Sequence, residues 1–204
     1  MITVTTPPAQ LAISLDTVKA HLLLLETDLD VLLQNLYIPA ATREVEAQIR
    51  RALITQTVEQ TFDCFPSEGY FLLERCPLVS FTKLEYFDRD ETWQELDSDD
   101  YQIMTGTLPP IVRIKDTKRW PVDAHRTARG GVKATYVVGY GATHTSVPVA
   151  IQQAISMMVG DMVVHREDTM ALTGLKTANP GWHSKVLLDP YRVNYFEHAS
   201  QSRI

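Results

Sequence analysis

The sequence predicts an α+β protein in which a helical bundle carries an inserted antiparallel β domain. Three observations predict it: apolar residues at helical spacing through residues 14–53, short strand-like runs through 54–141, and a second helical pattern over 147–166. The gaps between the strand-like runs are too short for helical crossovers, so the sheet is expected to be antiparallel. A chain of 204 residues is long enough to bury a sizeable core.

The two ends of the chain are predicted to lie outside these domains. Residues 1–13 are expected to form an extended N-terminal arm, because Pro7 and Pro8 block a helix there. Residues 167–204 combine helix-breaking pairs with a strongly apolar end. That combination favours a linker followed by an extended anchoring tail, with packing back onto the chain's own domain as the open alternative.

The first helical segment is predicted to be a pair of helices joined by a very short loop. Ser14 is a good N-cap for the first helix, which should end near Leu25. Thr27 and Asp30 form a capping-box pattern that begins the second helix. Pro39 lies within the second apolar stripe and is expected to kink or split that helix.

The central region is rich in β-branched and aromatic residues, which favour strands. The predicted strands are TVEQTF, GYFLLE, VSFTKLEYF, DYQIM, IVRIK and VKATYVVGY. Turns are expected at residues 66–69, 88–91, 106–110 and 130–131, where glycine, proline and aspartate cluster. The final helix follows, with Pro148 in its first turn and Gly160 inside it, where glycine suggests close packing.

Composition narrows the classes of function. The formal net charge is −6, which disfavours a general nucleic-acid coat. No apolar run is long enough to span a bilayer and the N-terminus lacks a signal-peptide pattern, so we expect an intracellular protein or part of a particle assembled in a cell. Cys64 and Cys76 are expected to be free thiols, with one bridge as the alternative, and no metal or cofactor site is expected.

Two oppositely charged blocks lie in the β region. An acidic block runs from Glu85 to Asp100, and a basic block runs from Arg113 to Lys133. One interpretation is two solvated loops; the other is an acidic edge that meets a basic edge on a neighbouring copy, a head-to-tail contact that closes rings. The candidate intersubunit residues are Asp88, Asp90, Glu91, Arg113, Lys115 and Arg119.

Candidate catalytic groups are sparse, so the chain is predicted not to be an enzyme. Asp161 and His165 are four residues apart on the last helix, and His144 lies near Ser146. Two ligands do not make a metal site, and a histidine near a serine lacks an acidic orienter and an oxyanion motif. A small hydrolase using these residues remains an alternative, as does a DNA-binding module using 113–133.

Four regions of the chain, taken in order, carry a resemblance to a known family. SLDTVKAHLLL followed by TDLDVLLQNLYIPAATREVE is similar to the family's opening helix pair, and RALITQTVEQTFDCFP followed by LERCPLVSFTKLEYFD to its first strands. VVGYG followed by VPVAIQQAI resembles its glycine turn and closing helix, and LLDPYRV its tail motif. Over most of the chain from Ser14 to Phe196, the sequence resembles the head–tail connector (adaptor, or head-completion) proteins of tailed bacteriophages.

The resemblance implies a structural protein of the virion neck, assembled in the host cytoplasm. Relatives form a ring, usually a dodecamer, beneath the portal protein; the ring extends the DNA channel and contacts the next neck or tail protein. Packaged DNA passes through without sequence-specific binding, and no membrane is involved. A stopper or tail-completion protein is the alternative within the neck. Carried onto this chain, the portal anchor is Leu187, Leu188, Pro190, Tyr191, Arg192, Val193, Tyr195 and Phe196.

Overall fold

The computed structural model describes residues 1–121, 130–164 and 182–193, and they form two compact units. The described residues of the β unit are Met1–Ala9, Thr55–Tyr140 outside 122–129, and Val193. Those of the helical unit are Gln10–Ile54 and Gly141–Arg192 outside 165–181. The predicted α+β class is confirmed, with antiparallel pairing between all neighbouring strands.

The β unit contains two sheets. Its strands are β1 (Ile2–Thr6), β2 (Gln56–Phe62), β3 (Tyr70–Leu72), β4 (Leu78–Phe87), β5 (Trp93–Glu95), β6 (Tyr101–Met104), β7 (Ile111–Ile114) and β8 (Val132–Val138). One sheet has the order β1-β2-β8-β4-β5 and the other β3-β7-β6. The alternating burial of β2 and β8 follows from the two-residue period of a strand, which sends every second side chain to the core.

Aromatic side chains join the two sheets. The rings of Phe62 and Phe71 lie 4.6 Å apart between centroids, and those of Phe81 and Tyr101 lie 5.6 Å apart. Each pair joins a strand of the five-stranded sheet to one of the three-stranded sheet. Tilted and edge-on pairs at these separations are the favoured aromatic geometry, so the rings add directional contacts to the burial of apolar surface.

A buried polar network lies between the sheets at Gln60, which is 1% exposed. Its Oε1 accepts hydrogen bonds from the hydroxyl of Tyr136 at 2.7 Å and from the backbone N–H of Glu74 at 2.9 Å. Its Nε2 donates to the carbonyl of Leu72 at 3.2 Å. Buried amides are costly unless satisfied, so these bonds compensate its desolvation and link β2, β8 and the end of β3.

The helical unit contains α1 (Leu15–Leu22), α2 (Asp30–Leu32), α3 (Ile38–Ile49), α4 (Val149–Val164) and α5 (Trp182–Leu188). A π-helical turn, Leu33–Tyr37, joins α2 to α3, and short 3-10 turns cover His144–Ser146 and Asp189–Tyr191. The core side chains are each less than 2% exposed; they are Ile13, Val18, Leu33, Ile38, Ala41, Val45, Ile49, Leu53, Ile151, Ala154, Ile155 and Val159.

Helix α1 begins at its predicted cap and ends earlier than expected. The Oγ of Ser14 accepts the backbone N–H of Thr17 at 3.1 Å. The helix stops at Leu22 rather than near Leu25, because Leu23 takes a left-handed conformation with φ of 55° and closes the helix. Leu22 then packs against α4, where a Cβ on Gly160 would lie 3.0 Å from its Cδ2. This explains the glycine inside α4 by close packing.

A kink or break was expected at Pro39; the structure instead has a π-helical turn, Leu33–Tyr37, just before this proline. Pro39 lies in the first turn of α3, where its missing N–H costs little. A proline ring also crowds the carbonyl four residues earlier, and the wider π turn over Leu33–Tyr37 accommodates such crowding. The helical path therefore continues through the proline.

The N-terminal arm is attached to a sheet, and the described part of the predicted C-terminal tail is partly helical. Within the predicted arm 1–13, Ile2–Thr6 is an edge strand of the large sheet, and the ammonium group of Met1 donates to the carbonyl of Thr61 at 3.0 Å. The extended tail predicted near the C-terminus is instead helical over Trp182–Leu188. The helix forms because it places Ser184 and Leu188 on one buried face, four residues apart.

Candidate interaction surfaces

Within the acidic block, the side chain of Asp88 accepts hydrogen bonds from the turn in which it lies. Asp88 is 7% exposed, and its Oδ1 accepts the backbone N–H groups of Asp90 and Thr92, each at 2.9 Å. Its Oδ2 accepts the Thr92 hydroxyl at 2.7 Å and the Gln94 amide at 2.9 Å. The bonds from Thr92, followed by that from Gln94, lower the pKa of Asp88. Asp88 therefore holds the β4–β5 turn closed.

The other predicted charge-contact residues occupy several environments. Asp90 and Glu91 are exposed in the turn, with Glu91 at φ of 60°. Arg113 pairs with Asp116 at 2.7 Å, while Arg119 is exposed and Lys115 is half-buried. A contact of these residues with a neighbouring copy remains a prediction.

The two charged blocks meet within one chain at a pair that the sequence did not single out. Lys118 Nζ lies 2.6 Å from Asp100 Oδ1, and this partner raises the pKa of Lys118. Lys133 places its Nζ 3.9 Å from the ring centroid of Trp93, a cation–π contact. Part of the basic block considered for DNA binding is thus engaged inside the β unit; residues 122–129 of that block lie outside the described residues.

The predicted portal-anchor residues are partly buried. Leu188 and Val193 are 2% and 3% exposed, Leu187 and Tyr191 are half-buried, and Pro190 and Arg192 are exposed. Arg51 Nε donates to the carbonyl of Tyr191 at 2.6 Å, which holds this segment near the end of α3. Tyr195 and Phe196 lie outside the described residues.

The candidate catalytic residues do not form a described site. The backbone carbonyl of His144 accepts the amide of Gln152 at 3.0 Å, so this residue helps to hold the start of α4. Asp161 is exposed on α4, and His165 lies outside the described residues. Among residues 1–121, 130–164 and 182–193, no three His, Cys, Asp or Glu side chains are arranged to hold a metal. The exposed Cys64 and the buried Cys76 are not joined by a disulfide.

A surface that the sequence analysis missed lies where α1 ends. Leu23 and Leu25 are 86% and 93% exposed, and the exposed carboxylates of Glu26 and Asp28 follow them; we call residues 23–28 the leucine corner. The run of four leucines at 22–25 was a signal, but the first helix was expected to continue through it and to end near Leu25. Only the early end of α1 turns these two leucines outward.

Comparison with known proteins gives matches among solved structures. No family model and no curated protein matches the chain. A chain in the neck of an empty GTA particle, computed with C6 symmetry, matches with a TM-score of 0.78. A chain in the virion of a native gene transfer agent (GTA) particle matches at 0.76, and one in the neck of a native GTA particle, computed with C12 symmetry, at 0.74.

These matches extend over nearly the whole molecule. In each, the sequences are 18% identical, and the match covers 95% of this chain and 96% of the other chain. At this identity the likeness shows a shared fold. In the described part of the chain, no helix combines the length and the hydropathy needed to cross a membrane.

Proposed function

We propose that this protein is a structural component of the neck of a tailed, phage-like particle, and specifically the adaptor that forms a ring below the portal. The observation that carries the proposal is the fold likeness to neck chains over 95% of this chain. Both units of the fold fall within that coverage, so the likeness does not rest on a common small motif. The ordered sequence resemblance to head–tail connector proteins supports the same class.

A ring of copies is the expected assembly. Two of the matched neck structures were computed with sixfold and twelvefold symmetry, and a dodecamer fits both. A cyclic ring needs two different surfaces on each copy, since the contact is head-to-tail. In this proposal the ring surrounds the DNA channel and presents a lower surface to the next neck or tail protein. A net charge of −6 suits a channel wall that lets DNA slide without binding it.

The portal contact is proposed to involve the C-terminal segment from Leu187 onward. Burial of Leu188 and Val193 supports a narrower version of the predicted anchor, in which exposed Pro190 and Arg192 and the residues after 193 meet the portal. Arginine is enriched among interface hot spots because its planar group forms several directed hydrogen bonds. Repetition of the arm around a ring adds avidity to each contact.

Co-sedimentation with the portal ring from the same genome tests this function. We compare the full chain with a chain ending at Val193 and with Arg192→Glu. Ending the chain before α5 would be a poor test, because Leu188 is buried and its loss would disturb the helical unit. Arg43→Glu is the matched control, since Arg43 is an exposed arginine on α3.

Binding by the full chain and by Arg43→Glu, with at least tenfold weaker binding by the other two variants, supports the adaptor role and the anchor. Equal binding by all four keeps the adaptor role and rejects the anchor. Failure of the full chain to bind portal contradicts the adaptor role. In that case, binding to a tail protein would favour the alternative of a stopper or tail-completion factor.

A further inference from the structure

The leucine corner is an apolar surface held in a fixed shape. Leu23 adopts a left-handed φ of 55°, a conformation that usually belongs to glycine. The backbone N–H of Leu24 donates to the carbonyl of Lys19 at 3.0 Å. Lys19 in turn pairs with Asp30 at 2.7 Å, which connects both sides of the loop. These contacts restrict the backbone of the loop, which lowers the conformational entropy lost when the exposed leucines bind a partner.

A complementary surface lies on α5 in the same unit. With Ser184 and Leu188 buried against the unit, Lys185 and Val186 point outward, and Val186 is 52% exposed. We call these two residues the outer face of α5. Asp189 and Arg192 are both exposed beyond it and offset each other in charge. The outer face is therefore apolar with a positive charge beside it.

The two surfaces match in chemistry and differ in position along the chain. The leucine corner is apolar with carboxylates at Glu26 and Asp28, while the outer face of α5 offers Val186 beside the ammonium group of Lys185. A contact between two different surfaces of identical copies is head-to-tail, and it closes into a ring when the rotation allows. A second copy of this chain is thus an occupant that satisfies both the apolar and the charged groups.

We propose that the leucine corner of one copy docks on the outer face of α5 of the next copy. Leu23 and Leu25 cover Val186, and the carboxylates of Glu26 and Asp28 face Lys185. The inference rests on the proposed ring function and assigns residues to its contact. The contact uses neither Pro190 nor Arg192, which are proposed above to meet the portal.

Two complementary variants test the contact by analytical ultracentrifugation. The corner variant combines Leu23→Asn with Leu25→Ser; asparagine tolerates the left-handed conformation, so the loop keeps its shape. The α5 variant combines Lys185→Glu with Val186→Asp, which sets carboxylate against carboxylate in the contact. Val149→Ser is the control, because Val149 is 80% exposed on α4 and lies outside both surfaces. Circular dichroism verifies the fold of every variant.

We expect the wild-type chain and Val149→Ser to self-associate with equal affinity. The self-association affinity of each test variant should fall by a factor on the order of 30 for every apolar side chain lost. A mixture of the corner and α5 variants should form one-to-one dimers and stop there, since each pair retains one intact contact. Self-association of a folded corner variant at the wild-type level overturns the proposal. A monomeric mixture, or a wild-type chain that stays monomeric at roughly millimolar concentration, also overturns it.

Portal co-sedimentation separates this inference from the proposed function. Portal binding by a wild-type chain that never self-associates through these surfaces rejects the contact and retains the adaptor role. Self-association through these surfaces without portal binding retains the contact and rejects the adaptor role.

Discussion

Replacement of Gln60 by leucine should destabilise the β unit, because the side chain is the centre of a buried polar network. The change keeps approximately the same volume and removes three hydrogen bonds: those with the Tyr136 hydroxyl at 2.7 Å, the Glu74 N–H at 2.9 Å and the Leu72 carbonyl at 3.2 Å. Each such bond contributes about 1 kcal/mol net, and a buried group that loses its partner costs more.

We therefore expect Gln60→Leu to lower the free energy of unfolding by about 2–4 kcal/mol. Tyr136→Phe removes only one of the three bonds and should cost about 1 kcal/mol. Because the two side chains share that bond, the double variant should be less destabilised than the sum of the single variants, by about 1 kcal/mol.

Urea denaturation followed by tryptophan fluorescence and circular dichroism measures these differences. Gln102→Leu is the matched control, since Gln102 is an exposed glutamine on β6 of the same unit, and it should shift stability by no more than about 0.5 kcal/mol. A cost for Gln60→Leu as small as that of the control would refute the reasoning that this network holds the sheets together. Full additivity in the double variant would show that the hydroxyl and the amide act independently.

Three further predictions concern other parts of the fold. Gly141→Ala should cost about 1–3 kcal/mol, because its Cβ would lie 2.6 Å from the Cβ of Ser146, and Ser146→Gly in the same chain should recover part of that stability in a thermal melt. The pKa of Asp88 is lowered by hydrogen bonds in the folded state, so its contribution is present above about pH 4 and is lost as pH falls through the lower folded pKa. Asp88→Asn should accordingly flatten the acid limb of a stability profile, and an unchanged limb would contradict this. Arg51→Ala removes the 2.6 Å bond to the Tyr191 carbonyl and should raise amide exchange near Tyr191 roughly tenfold, whereas exchange in β8 should not change.

Local pattern was sufficient for the elements whose core faces are regular. The two-residue alternation in β8 predicts burial directly, because the strand period determines which side chains share a face. In α4 the helical spacing correctly predicts burial of Ile151, Ala154 and Ile155. Ser14 was identifiable as a cap because the hydrogen bond that its side chain accepts comes from Thr17, only three residues away. The glycine at 160 also signalled close packing, although its partner Leu22 is far away in sequence.

Prediction was weakest where the deciding partner is distant in sequence. Nothing local assigns Ile2–Thr6 to a sheet edge, because its pairing partner β2 begins at Gln56. The same holds for the ion pair between Asp100 and Lys118, which joins the acidic block to the basic block within one chain. Gln60 was passed over in the sequence because a glutamine in a strand is ordinary until its burial is known.

The sequence by itself determined the α+β class, the strand-rich centre and the lack of a recognisable catalytic motif, since these depend on composition and on periods of a few residues. Only the tertiary structure decided which apolar side chains remain exposed. Leu22 and Leu23 are adjacent and chemically identical, yet Leu22 packs on α4 and Leu23 is 86% exposed. The difference arises because Leu23 adopts a left-handed conformation that ends α1, so its side chain points to solvent. Burial is a property of the three-dimensional arrangement, and so the surfaces available to a partner follow from packing and not from residue type.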